Sequence, residues 1–207
     1  MEKYDVKKAH KALYAPSAKD FTRVDVPELG FIAVDGEGDP NTAEAYRQAV
    51  EALYSVAYTL KFHSKLSLRK DFVVAPMEGL WRAEDPSAFL KREKDSWKWT
   101  MLIGQPEWIT ADMVANAVET AGAKHPNPAL ELLRPHTFTE GPSVQILHVG
   151  SYDDETPVLE RLHNEYMPAN GLAFNGDHHE IYLSDARRTA PAKLKTVLRQ
   201  PVRPISE

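Results

Sequence analysis

The feature that most constrains this chain is an internal repeat. Trp97-Lys98-Trp99-Thr100-Met101-Leu102-Ile103-Gly104-Gln105-Pro106 resembles Lys193-Leu194-Lys195-Thr196-Val197-Leu198-Arg199-Gln200-Pro201. Both stretches alternate around Lys and Thr, and both end in Gln-Pro. The elements ahead of them also come in matching order: strand, helix, strand, strand. A repeat of this kind predicts two like modules that bury their apolar faces together. The expected boundaries are roughly residues 19–123 and 134–204 of one domain spanning 1–207, with Lys124–Pro135 and its three prolines as the crossover.

In the first half, strands are expected over Arg23–Pro27 and Leu29–Asp35, ended by Gly36-Glu37-Gly38-Asp39-Pro40. Asn41, with Glu44 three residues on, has the pattern of a capping box for the next helix. The apolar stripe of that helix is Ala45, Ala49, Leu53, Val56, Ala57 and Leu60, with Tyr46, Tyr54 and Tyr58 beside it. A short strand follows at Asp71–Pro76, then Met77–Trp81, a polar excursion from Arg82 to Ser96, and a strand over Trp97–Gly104. Thr110 is the expected cap of a second helix that ends near Gly122, and Asp112 suits its first turn. The second half reads as a strand at Val144–Gly150 and a helix opened by Thr156-Pro157 and stopped before Pro168. Strands His178–Leu183 and Lys193–Pro201 complete it. Residues 1–18 read as a charged peripheral arm.

Composition narrows the chemistry. Without cysteine, the chain has no disulfide, thiolate zinc site or cysteine nucleophile, which fits a reducing compartment. With 25 Lys and Arg against 30 Asp and Glu, the net charge is −5, so the field that drives nucleic-acid binding is missing. The cluster Arg187, Arg188, Lys193, Lys195, Arg199 and Arg203, partly offset by Asp185 and Glu207, reads as solvated surface. The N-terminal residues contain no signal-peptide core, and no apolar run approaches the ~20 residues of a membrane span, so a cytoplasmic location is expected. P-loop, dinucleotide-fingerprint and nucleophile-elbow motifs are missing, and the histidines have no zinc-binding spacing, so neither cofactor nor metal is expected.

Alternation in His178-His179-Glu180-Ile181-Tyr182-Leu183 puts His178, Glu180 and Tyr182 on one face and His179, Ile181 and Leu183 on the core face. Glu180 is therefore either a wetting residue on an open sheet or a cavity acid. A carboxylate desolvated among aromatic rings is the better base near neutral pH. Trp97 and Trp99 share a face with Met101 and Ile103, while Trp81, Trp108 and Tyr152 follow strand ends or turns where residues rim pockets. His148 shares a face with Val144 and Ile146, as a satisfied core or pocket histidine would.

Pro76–Trp81, Trp97–Thr100, Glu140–Glu155 and His178–Arg188, with Leu194–Val202, resemble the GyrI-like small-molecule-binding superfamily in its stand-alone bacterial branch. The resemblance implies an α+β fold of tandem strand-helix-strand-strand (SHS2) modules, related by a pseudo-twofold axis, with antiparallel sheets around a central ligand cleft. It also implies a small hydrophobic, aromatic or cationic ligand and no direct contact with nucleic acid or membrane. Stand-alone members hydrolyse cyclopropanoid cyclohexadienones, and others are drug sensors or gyrase inhibitors. The family's pocket glutamate corresponds to Glu180, beside Tyr182. Its aromatic pocket residues fall near Trp81, Trp99, Trp108, Tyr152 and Tyr182, and Trp97 and His148 join them as candidate ligand contacts from their strand faces. Ala186 stands where relatives often carry proline, and the single Trp81 where many have two tryptophans, which leaves substrate range open. The readings that follow are a cofactor-independent hydrolase, a non-catalytic drug-sequestering or sensor module, and a protein inhibitor.

Overall fold

The computed structural model describes residues 3–82 and 96–205. Most of the expected polar excursion, residues 83–95, and Glu207 lie outside the described residues. The chain divides into two compact units, each assembled from two stretches: Met1–Ala9 with Leu29–Phe138, and His10–Glu28 with Thr139–Glu207.

In the first unit, strand β1 (Lys3–Tyr4) pairs in parallel with β3 (Asp71–Phe72), which is shorter than the expected Asp71–Pro76. The main sheet is built from β2 (Thr22–Glu37, from Leu29 onward), β4 (Met77–Arg82) and β5 (Lys98–Gln105), with β5 in the middle and both pairings antiparallel. β2 is one strand, not the two expected, because Pro27 falls at an exposed point where a missing ladder donor is tolerated. Gly36 does not end it either. It lies directly opposite Trp99, and a Cβ there would run into the indole ring, so glycine makes room for tryptophan.

The helix Glu44–His63 packs on β5 and on the helix Ala111–Lys124. Its buried stripe is Ala49, Ala52, Leu53, Val56, Ala57 and Leu60, while Ala45 and Tyr58 are exposed. Asn41 does not cap it. Its backbone N–H and side-chain amide both donate to Asp39 Oδ1, and Ala43 occupies the N-cap without a side-chain bond. Thr110 does cap the second helix, accepting from the Met113 N–H at 3.3 Å, and that helix runs through Gly122 to Lys124. Asn127 then caps a 3₁₀ turn, Pro128–Glu131, and its side chain donates to Gln48 O.

The second unit has the same strand order. β6 (Arg134–Val149, from Thr139 onward) and β8 (His178–Tyr182) flank β9 (Lys195–Pro204), again antiparallel. β6 starts well before the expected Val144. Pro201 does not stop β9: its carbonyl accepts from Asn175 N–H, and beyond it the strand pairs with an unforeseen β7 (Leu172–Phe174). The helical segment opens as a 3₁₀ turn at Tyr152–Glu155, so Thr156 lies inside it, and it runs past Pro168 to Ala169 through a wide turn at Leu162–Tyr166. Leu162 and Met167 pack on Val144 and Val202. This identifies the even-numbered face of β9 as the helix-covered one. Residues 10–18 are not a loose arm. Leu13 and Tyr14 are buried, and Ser17 O accepts from Leu147 N–H.

Candidate functional site

β8 delivers the acid. In the ladder with β9, Glu180 lies opposite Leu198 and Tyr182 opposite Thr196, so these side chains share the helix-covered face of the second unit. Tyr182 Oη donates to Glu180 Oε2 at 2.7 Å, and His178 Nε2 lies 3.4 Å from Glu180 Oε1. A spacing of two residues on a strand is what brings these three side chains together. Tyr152, half out in solvent, sets its ring edge-on to Tyr182 at 5.8 Å between centroids. The Glu180 side chain keeps 15 % of its exposure, so it is neither a freely wetted surface acid nor sealed off. His148 lies on the same face, in the row of Thr196 and Tyr182. Its Nε2 is 3.0 Å from Ser151 O, so that ring nitrogen is occupied by backbone.

The opposite face of the same three strands carries an ionic network that the sequence did not disclose. Glu140 contacts His179 Nδ1 at 2.9 Å and accepts from Arg199 Nη1 at 3.0 Å, while Arg199 Nε donates to Gln145 Oε1. Arg199 is 2 % exposed, so it leaves the solvated basic cluster in which its sequence position put it. Burial alone would raise the Glu140 pKa, but the charges of His179 and Arg199 and their hydrogen bonds outweigh it and hold the group at about 2. The N-terminal stretch is tied to this network: Arg199 Nη2 donates to Leu13 O and Gln145 Nε2 to Ala12 O. A usable signal was present, since His179 shares its parity with Ile181 and Leu183, and a histidine on a core face needs a partner.

The tryptophans divide into two groups, both in the first unit. Trp81 and Trp99 are directly opposed across β4 and β5, and both are buried. Trp97 meets Trp81 edge-on at 5.6 Å, and Tyr46 from the long helix stacks on Trp81 at 6.2 Å and meets Trp99 edge-on at 5.3 Å. Trp108 is in neither contact set. Its Nε1 donates to Ser64 Oγ, its ring is edge-on to Tyr4 and Phe72, and Lys70 lies over it. The structure thus joins Glu180, Tyr182 and Tyr152 in one cluster, and Trp81, Trp97 and Trp99 in another.

Among the described residues, no group of three or more His, Asp or Glu is arranged to hold a metal ion, and no helix is long and apolar enough to cross a membrane.

Solved structures with this architecture include an uncharacterised conserved protein from Listeria innocua, 40 % identical over 97 % of this chain and 100 % of its own, with a TM-score of 0.89. A hydrolase from Listeria innocua is 39 % identical over 97 % of this chain and 100 % of its own, with a TM-score of 0.84. The C-terminal domain of EcmrR, 9 % identical over 89 % of this chain and 98 % of its own, shares the fold at a TM-score of 0.56. No curated protein matches. The family described as the GyrI-like small molecule binding domain matches residues 19–203, and the chain belongs to it.

Proposed function

We propose that this protein binds a flat, hydrophobic aromatic molecule beside Glu180 and hydrolyses an electrophilic one of the cyclopropanoid cyclohexadienone class. The observation that carries the reading is the Glu180 carboxylate, mostly buried, accepting from Tyr182 Oη at 2.7 Å, with the Tyr152 ring against that of Tyr182. The chain's 39 % identity to a protein described as a hydrolase supports the same class.

In this scheme Glu180 takes a proton from a water whose oxygen attacks the cyclopropane carbon. The strained carbon–carbon bond breaks, and its electron pair passes through the dienone to the carbonyl oxygen as the ring aromatises. The phenolate oxygen then takes up a proton, so the net reaction consumes one water. Tyr182 orients the carboxylate, and the tyrosine rings offer stacking surface.

Purified protein incubated with such a compound, with product followed by chromatography, tests the proposal. The Glu180→Gln variant is expected to lose about 10²-fold or more in rate. A rate equal to the parent's would remove Glu180 from the role. Stoichiometric protection without product would instead favour a sequestering or sensor module.

A further inference from the structure

Large apolar side chains on the surface are concentrated in one segment of the first unit. Among the described residues nine are exposed, and four of them are Tyr58, Phe62, Leu66 and Leu68. These four fall at the end of the helix Glu44–His63 and in the wide turn Ser64–Leu68 that closes it. Leu66 keeps 72 % of its exposure and Phe62 54 %. Tyr58, Phe62 and Leu66 recur every fourth residue, the spacing that sets side chains on one side of a helix, while Ala49, Leu53, Val56 and Leu60 are turned inward. Single apolar residues on a surface need no explanation, but a row of them does.

The same segment is basic. Residues 59–70 include Lys61, Lys65, Arg69 and Lys70 and no acid, in a chain whose net charge is −5. Lys61 is held by Asp71 at 2.6 Å with both side chains largely buried, which leaves Lys65, Arg69 and Lys70 on the surface. Lys65 lies 3.9 Å from Asp71, an acid already engaged by Lys61, and Lys70 lies over the Trp108 ring at 5.2 Å. Beyond the ~8 Å screening length of physiological salt the chain's overall negative charge is muted, so a bound surface senses these cations.

Charge selects the occupant. A second copy paired by a twofold axis centred on Phe62 would bring Lys65 and Arg69 to the level of its Thr59 and Ser55, where no carboxylate answers them. An anionic lipid surface answers both halves of the patch: the acyl boundary takes the Phe and Leu side chains, and the headgroups take the cations in the same plane. Side chains that project from a turn enter a fluid interface without needing a matching groove.

We infer that Phe62, Leu66 and Leu68, with Lys65, Arg69 and Lys70, dock this unit on the surface of an anionic lipid bilayer. The contact is peripheral rather than a span, and it departs from the absence of membrane contact that the family resemblance implies. It does not depend on ligand binding or turnover at Glu180.

Sedimentation of the full chain with sucrose-loaded vesicles tests this docking. Vesicles of phosphatidylcholine with about one third phosphatidylglycerol should bind about a hundredfold more tightly than phosphatidylcholine alone, since each of three surface cations contributes about fivefold. Raising the salt to about 0.5 M should release the protein. The double variant Lys65→Gln, Arg69→Asn should weaken binding about twentyfold. Asparagine suits the left-handed backbone at Arg69, where φ is 58°. The double variant Phe62→Ser, Leu66→Ser should weaken binding about tenfold by removing the inserted apolar surface. All four positions are exposed, so neither variant should shift the thermal midpoint. No binding to the mixed vesicles, equal binding to phosphatidylcholine alone, or binding unchanged in both variants would overturn the inference. So would a vesicle-free dimer that the Phe62→Ser, Leu66→Ser variant dissolves.

Discussion

The two units have one strand order and different side chains on its faces. In the first, the helix-covered face of the sheet is dry and aromatic: Trp99, Met101 and Ile103 on β5, with Trp81 on β4 and Ile32 and Val34 on β2. In the second, the corresponding face sets His148, Thr196, His178, Glu180 and Tyr182 beside a buried apolar part, Val144, Ile146, Leu198 and Val202. The other faces differ too. The first unit packs Phe31, Ala33 and Leu102 with Leu29, Leu80 and Phe138, beside buried Glu78 and Thr100, whereas the second holds the ionic set Glu140, His179 and Arg199 with Gln145. A repeated backbone register therefore dictates which positions share a face, and the residues chosen at those positions decide whether the face becomes a core or a site.

The largest effect should come from breaking the ionic face. Arg199→Met leaves the Glu140 carboxylate buried with one cation fewer, and about 3–5 kcal/mol of stability should be lost in denaturant titration. A loss within error of zero would mean that the network is not what holds this face. In the aromatic unit, Gly36→Val forces a side chain into the Trp99 ring and should cost about 3 kcal/mol. Adding Trp99→Leu should recover part of the loss left by Gly36→Val, because the smaller side chain vacates the space.

The smallest effect concerns His163. Burial first, and then the charge of His178, hold its folded pKa at about 4, below the ordinary 6.5, so between those values the unfolded chain takes up a proton that the folded chain refuses. Stability is then full above pH 6.5 and falls as the pH drops towards 4, by roughly 2 kcal/mol once the ring's remaining contact with solvent is allowed for. His163→Phe should flatten that window in a series of urea titrations. The Glu140 contribution lies lower: it is present above pH 4.5 and is lost as the pH falls towards 2, so the two are separable by pH.

Much of the fold was legible because its signals are local. Thr110 ahead of an apolar helix, the alternation in β5 and the parity that unites His178, Glu180 and Tyr182 each depend on a few neighbouring residues. The errors came where a partner outside the local pattern decides. Asn41 looks like a cap until Asp39 engages it, Pro201 looks like a stop until β7 arrives, and Arg199 looks like surface until Glu140, Gln145 and Leu13 surround it.

The sequence by itself determined the repeat, the strand-helix-strand-strand order and the shared face of Glu180 and Tyr182, since periodicity is a property of the chain. Only the tertiary structure decided that the first unit's tryptophans split, with Trp108 bonded to Ser64 apart from the rest, and that the reverse of the acid-bearing strand is ionic. Those facts depend on which remote groups meet in a low-dielectric interior. There an unpaired charge is costly and a paired one is held, and no local pattern encodes the partner.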